Sequence, residues 1–225
     1  MWVIYGLDRV KNEVNYNNTI ITDLKEVELK LNNLGVNSEI LIEACKAGLL
    51  ARSNSTAFDT KGQPGYIQWN DTNSKLRLLT HNQGWEIYQE NGIEGIISNN
   101  KKIRIIPSSG NAATGNPNQP ASNKNPKGEG SIKLIDKGKQ GNLFTGFPEQ
   151  DVEEFETYIL LYYANDKELR IELSKPSSID THGKIKAWEE RLILPKQVLN
   201  DIEIMSDETN EDEIDIPVIR KQNEG

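Results

Sequence analysis

Apolar residues first recur at helical spacing at Ile20, Leu24, Val27, Leu31 and Leu34, steps of four, three, four and three that line one helix face. Gly35 stops this helix. "NSEILIEACKAGLLAR" starts a second, with Asn37 or Ser38 as N-cap and Glu39 at the positive helix end. Ile40, Leu41, Ala44 and Cys45 give it an apolar face. The two read as an α-hairpin packed into the chain's own core, because two heptads are too few for an independent coiled coil. "SNSTAFDTKGQPGYIQWND" is irregular, and its aromatics, Phe58, Tyr66 and Trp69, are expected to pin it to the core. A short helix is expected from Asp71 to about His81, broken by Gly84.

The period then changes to that of strands. "WEIYQENGIEGIISNNKKIRIIP" holds three short β runs, 85–90, 93–98 and 101–106, separated by Asn91-Gly92 and Asn99-Asn100. Both dipeptides suit positive φ and two-residue turns, which predicts an antiparallel meander closed by Pro107. A stretch of some twenty residues, rich in Gly, Asn, Pro and Ser and nearly free of apolar side chains, follows. "IKLIDKGKQGNLF" reads as a short helix or an extended arm. The β signal returns in "FETYILLYYANDKELRIELSKP", a hairpin turning at Asn165-Asp166, and in "KIKAWEERLILP". "KQVLNDIEI" reads as a helical turn, and Trp2–Tyr5 as a short strand at the start of the chain. Residues 201–215 hold eight acids and no base, a solvated tail, and "IPVIRK" after them reads as an edge strand or a docking peptide.

The pattern lacks the alternation of βαβ units. It predicts an α+β fold: an N-terminal α-hairpin, an antiparallel meander and a second three-stranded antiparallel unit joined by a long polar loop. The expected organisation is a helical region over 1–52, a β-rich domain over 53–195 with a loop over 107–142, and an acidic tail over 196–225. Whether both β units share one sheet stays open.

Composition narrows the classes. The 225 residues carry a net charge of −8, with 36% hydrophobic residues, which supports a folded core with long polar excursions. Such acidity argues against a general DNA-coating protein, since that task needs clustered Lys and Arg. A single cysteine, Cys45, allows no intrachain disulfide and fits a reducing compartment. The first residues do not read as a signal peptide, and no apolar run approaches the roughly 20 residues of a membrane span. The expectation is a cytoplasmic protein without membrane association.

Chemistry concentrates in the polar stretch. Between Ser108 and Asn142 stand five lysines, Lys124, Lys127, Lys133, Lys137 and Lys139, against Glu129 and Asp136, a local charge of 5 − 2 = +3 that leaves −11 for the rest. Ser108, Ser109 and Thr114 offer hydroxyls, and Gly110, Gly115 and Gly128 allow close backbone approach. Together with Lys124 and Lys127 they are the candidate ligand-binding residues for a phosphate group, although the spacing matches neither common phosphate-loop motif. A crossover loop and a protein-docking loop remain alternatives.

"ATGNPN…NPKG" in this stretch, with "FDTKGQPGYIQW" before it and "IELSKP…WEERLILP" after it, resembles a family of bacterial proteins found in mobile-element or defence neighbourhoods. The resemblance spans about residues 40–195. It implies no activity or catalytic residue; it implies a folded, used loop and a more peripheral start and tail.

Other chemistry reads as weak. His81 and His182 lack the partners of a zinc site, so neither a metal nor a cofactor is expected. "SSIDTHGK" has Ser, His and Asp in one short stretch, which reads as a turn at Gly183 rather than a triad. Glu172 precedes Lys175 by three residues, which puts them on opposite faces of a strand and speaks against a nuclease centre; of Glu189 and Glu190 only one can face a given side. Tyr158, Tyr162, Tyr163, Trp85 and Trp188 on strands invite base stacking, but Glu154, Glu156, Glu189 and Glu190 would repel phosphates. The leading expectation is a non-enzymatic accessory or adaptor protein that binds another protein, and a nucleic acid or nucleotide through the loop. A phosphate-handling enzyme such as a nuclease, and an acidic nucleic-acid mimic, are the alternatives.

Overall fold

The computed structural model describes residues 19–137 and 155–199. The expected strand at Trp2–Tyr5, the acidic run and "IPVIRK" lie outside the described residues. The rest is a mixed α/β structure built on one sheet. Its strands are β1 (Thr19–Ile21), β2 (Glu86–Glu90), β3 (Ile93–Ser98), β4 (Ile103–Ser109), β5 (Glu156–Ala164), β6 (Glu168–Ile179), β7 (Ile185–Ile193) and β8 (Gln197–Val198). Its helices are α1 (Leu24–Leu34), α2 (Ser38–Ser53), α3 (Gln63–Thr80) and α4 (Glu129–Lys137).

The sheet runs β1-β7-β6-β5-β4-β3-β2, with β8 paired to β6. The β2–β3, β3–β4, β5–β6 and β6–β7 pairs are antiparallel. The two β units therefore join in one sheet, and the seam between them is parallel, with Ile105 opposite Tyr158 and Ser109 opposite Tyr162. A parallel seam needs a crossover, which is the topological task of everything between β4 and β5.

Both faces of the centre are covered, so β5 reads "YILLYY" with no polar alternation. Tyr158, Leu160 and Tyr162 meet Val27, Leu41 and Leu76 of the helices on one side. Ile159 and Leu161 meet Ile106, Ala121, Ile135 and Trp188 on the other. The polar stretch after β4 and α4 thus cover the second face.

Several local expectations are corrected. The helical spacing begins at Ile20, but Thr19–Ile21 pairs in parallel with β7. The helix starts behind Asp23, whose carboxylate accepts the Lys25 and Glu26 amides at 3.1 and 3.0 Å. The third helix starts at Gln63 rather than Asp71, because Pro64 falls in its first turn, where its missing N–H has no acceptor to serve. The tight pair is α2 with α3, not α1 with α2. At Gly48 any Cβ would collide with the Thr72 hydroxyl and the Gln68 carbonyl, so the missing side chain sets this close crossing. Pro107 does not end β4: the ladder to β3 stops at Ile105, and β4 continues along β5 to Ser109. The described part of "KQVLNDIEI", 196–199, holds the short strand β8 rather than a helical turn, with the Leu199 amide on the Lys167 carbonyl at 2.8 Å; 200–204 lie outside the described residues.

Candidate functional site

The polar stretch is a closed loop. The Asn111 amide donates to the Ser122 carbonyl and the Lys124 amide to the Ser109 carbonyl, both at 2.8 Å, so the stretch leaves and re-enters at neighbouring points beside Gly110 and Asn123. Between them it crosses β5, β6 and β7. Asn111 stiffens the neck, its Oδ1 accepting the Ala113 and Ser122 amides at 3.2 Å each.

A buried ion pair fastens the loop to the sheet. Glu172 on β6 and Arg191 on β7 are both fully covered, and Arg191 donates to Glu172 through Nη2 at 2.6 Å and Nε at 3.2 Å. The remaining valences point into the loop. Arg191 donates to the Asn116 and Gln119 carbonyls at 3.2 and 3.1 Å, while Glu172 accepts the Gly115 amide at 2.9 Å and the Ser174 hydroxyl at 3.2 Å. Trp188 adds a bond from its indole N–H to the Ala121 carbonyl at 2.8 Å.

The eight candidate residues divide into two groups. Ser108 and Thr114 are buried, and Ser109 lies at the end of β4 against Tyr162. Gly110 leaves no room for a Cβ beside the Thr114 hydroxyl. Gly115, at φ 71°, uses its amide on Glu172. These five build the inside of the loop. Lys124, Lys127 and Gly128 form its outer end, and there the chain meets residues that spacing alone does not connect to them. The β6–β7 turn reaches this end because register shifts between Lys175 and Ile179 bulge the hairpin and bend it. The Lys127 amide donates to the Gly183 carbonyl at 2.8 Å. Lys184 Nζ donates to the carbonyls of Lys124 at 2.7 Å and Asn123 at 3.0 Å. Asn123 completes the tie, donating to Gly183 O and accepting the Ile185 amide at 2.8 and 2.9 Å. The backbone of Lys124 and Lys127 and the side chain of Lys184 thus meet at one corner, with Lys186, which pairs with Asp180, and the exposed His182 close by in sequence. Lys127 keeps a partly accessible surface, yet its ammonium is crowded by protein, and burial lowers its pKa to about 8.

The remaining carboxylates are engaged separately. Glu172 and Lys175 do not meet: Lys175 lies between Glu156 at 2.8 Å and Glu189 at 3.1 Å. Desolvation pulls the Lys175 ammonium down, but hydrogen bonds to these two acids outweigh it and its pKa is raised. Glu189 is the extra residue of a bulge, and Glu190 turns to Lys30 at 2.7 Å. In the "SSIDTHGK" turn, Asp180 accepts the Lys184 and His182 amides at 2.8 and 3.0 Å and pairs with Lys186 at 3.1 Å. The hydrogen bond from the Lys184 amide is the largest cause that lowers the Asp180 pKa; desolvation opposes it, and Lys186 and the His182 amide add to the lowering. Among the described residues no group of three or more His, Cys, Asp or Glu side chains is placed to hold a metal ion.

One end of the α2–α3 pair carries a different surface. Thr56 and Asp59 close a turn, with Thr56 N donating to Asp59 Oδ2 at 2.7 Å and Phe58 N to Thr56 Oγ1 at 3.3 Å. That turn presents Phe58 wholly to solvent, contrary to the expectation that it pins the segment to the core. Leu50 and Tyr66 beside the connection are also exposed, and the Tyr66 ring lies 5.8 Å from that of Trp69.

Comparison with protein-family models, with curated proteins and with solved structures finds no match. No helix among the described residues is long and apolar enough to cross a membrane.

Proposed function

We propose that this chain is a non-enzymatic adaptor that works by holding a protein partner, with the contact made at the Phe58 end of the α2–α3 pair. The observation that carries this reading is a hydrogen-bonded turn that spends its order on displaying a phenylalanine in water. Leu50 on α2 and Tyr66 on α3, the helices that flank this turn, are exposed as well. Exposed apolar clusters on a polar rim mark contact sites, and aromatic anchors carry a large share of interface energy. The partner in this reading is a protein with an apolar pocket that takes the Phe58 ring.

The test is purification from the native host at low salt, with mass measured by light scattering. The wild type is expected to elute as a complex heavier than its own 25.4 kDa. Phe58→Ser with Tyr66→Ser should elute alone at unchanged melting temperature, because neither ring contributes to the core. A wild-type chain that elutes alone, or a variant that keeps its partner, rejects the reading.

A further inference from the structure

We infer that the basic corner where the loop meets the β6–β7 turn is a binding site for a phosphate group, with Lys124, Lys127 and Lys184 as its cationic wall. Three lysines meet there, and none has a carboxylate partner among the described residues. Lys124 is exposed and makes no ion pair, Lys127 has no side-chain acceptor, and Lys184 spends its donors on two neutral carbonyls. Asp180 is committed to Lys186 and two turn amides, and Glu129 lies 3.8 Å from Lys133, one helical turn along α4. In a chain with 34 acidic residues, three lysines joined at one corner with no ion pair among the described residues concentrate positive potential.

The corner is built rather than incidental. Gly183 has φ 73°, and a Cβ there would collide with the backbone of Lys127, so the turn and the loop are fitted to each other. Gly128 has open space where a side chain would be, which leaves the backbone beside Lys127 approachable. The nine-residue α4 starts at the next position, and its first amides have no intrahelical acceptor. The crowding of the Lys127 ammonium, which lowers its affinity for its proton, is the penalty that a bound anion would relieve.

The probes are inorganic phosphate and a short single-stranded oligonucleotide, titrated by calorimetry into the full chain. Lys124→Gln with Lys127→Gln should weaken binding about tenfold or more, the loss expected for charge-assisted contacts. Lys46→Gln, on the exposed side of α2, should leave it unchanged. If the oligonucleotide binds with a steep salt dependence and phosphate alone only weakly, the phosphate is that of a nucleic-acid backbone; equal binding of both identifies a small phosphate ligand. Wild-type protein that binds neither probe, or a double variant that binds as tightly as wild type, overturns the inference. If the double variant lowers the melting temperature, Lys124→Gln alone supplies the same reading from an exposed position.

Discussion

Replacing Arg191 by alanine tests how the loop is held. The side chain is fully buried and makes four bonds, two to the Glu172 carboxylate and two to loop carbonyls. Its removal strands Glu172, also fully buried, with only the Gly115 amide and Ser174 hydroxyl as partners. Breaking a buried pair from one side costs about 3–5 kcal/mol, because a charge is left without compensation. An exposed pair would lose only about 0–1 kcal/mol, so the two cases separate cleanly. For a chain of this size each kcal/mol lowers the melting temperature by roughly 2–4 °C, which predicts a fall of about 6–20 °C.

The assay is urea unfolding of wild type, Arg191→Ala, and the double variant Arg191→Met with Glu172→Leu. The double variant leaves no buried charge, so it should be more stable than Arg191→Ala although it removes more polar contacts. Hydrogen exchange at the Gly115 amide reports the loop itself and should accelerate in both. A loss under about 1 kcal/mol for Arg191→Ala, with Gly115 exchange unchanged, would refute the view that this pair fastens the loop.

Four further outcomes follow from particular residues. Gly183→Ala should destabilise the chain and speed exchange of the Lys127 amide, since the new Cβ collides with Lys127; unaltered exchange would argue against the interlock. Gly92→Val should cost about 1–2 kcal/mol through φ 73° alone, as nothing crowds that position; a neutral result in urea unfolding would exclude positive φ there. Burial pushes the Cys45 thiol up, so a thiol reagent should label it only at the rate of unfolding, and fast labelling of native protein would contradict the packing. The Lys127 pKa lies below its ordinary value of 10.5, so the folded state holds fewer protons than the unfolded one between about pH 8 and 10.5. Relative to Lys127→Gln, wild type should therefore gain stability as pH rises through that window, and parallel stability curves would show that the ammonium is well solvated.

Local pattern was enough for some of this architecture. The Asn91-Gly92 turn has positive φ at both residues, and the strands around it lie close to their expected bounds. The mixed α/β character follows from the change of period near Trp85. Local pattern failed where two competing local readings were both permissible. Ile20 fits a helix face as well as a three-residue strand, and only the β7 edge beside it decides. "QPGYIQW" looks like a loop until Pro64 is seen to occupy a first helical turn. Phe58 was expected inside because aromatics usually are, and the hydrogen bonds that hold it outside come from Thr56 and Asp59, whose pairing is a turn signal without direction.

The loop was illegible for a different reason. Its hydrophobic content is so low that periodicity has nothing to report, yet it covers part of a sheet face. The cover works through backbone groups, and their partners are remote: Gly115 is 57 residues from Glu172, and Asn116 is 75 from Arg191. A parallel seam between β4 and β5 obliges the chain to cross the sheet, and a polar crossing leaves amides and carbonyls above an apolar face with no water to serve them. A single buried acid and a single buried base meet that need, the acid taking an amide and the base taking two carbonyls, while each neutralises the other. This also explains the division among the candidate residues. Ser108 stands near the end of β4, next to the crossing, and Thr114 and Gly115 form its inner side. Lys124 and Lys127 emerge where it ends, at the point where the β6–β7 turn brings Lys184 to meet them. The same crossing that completes the core therefore places the cations, so a ligand at that corner would stiffen the loop as well as occupy it.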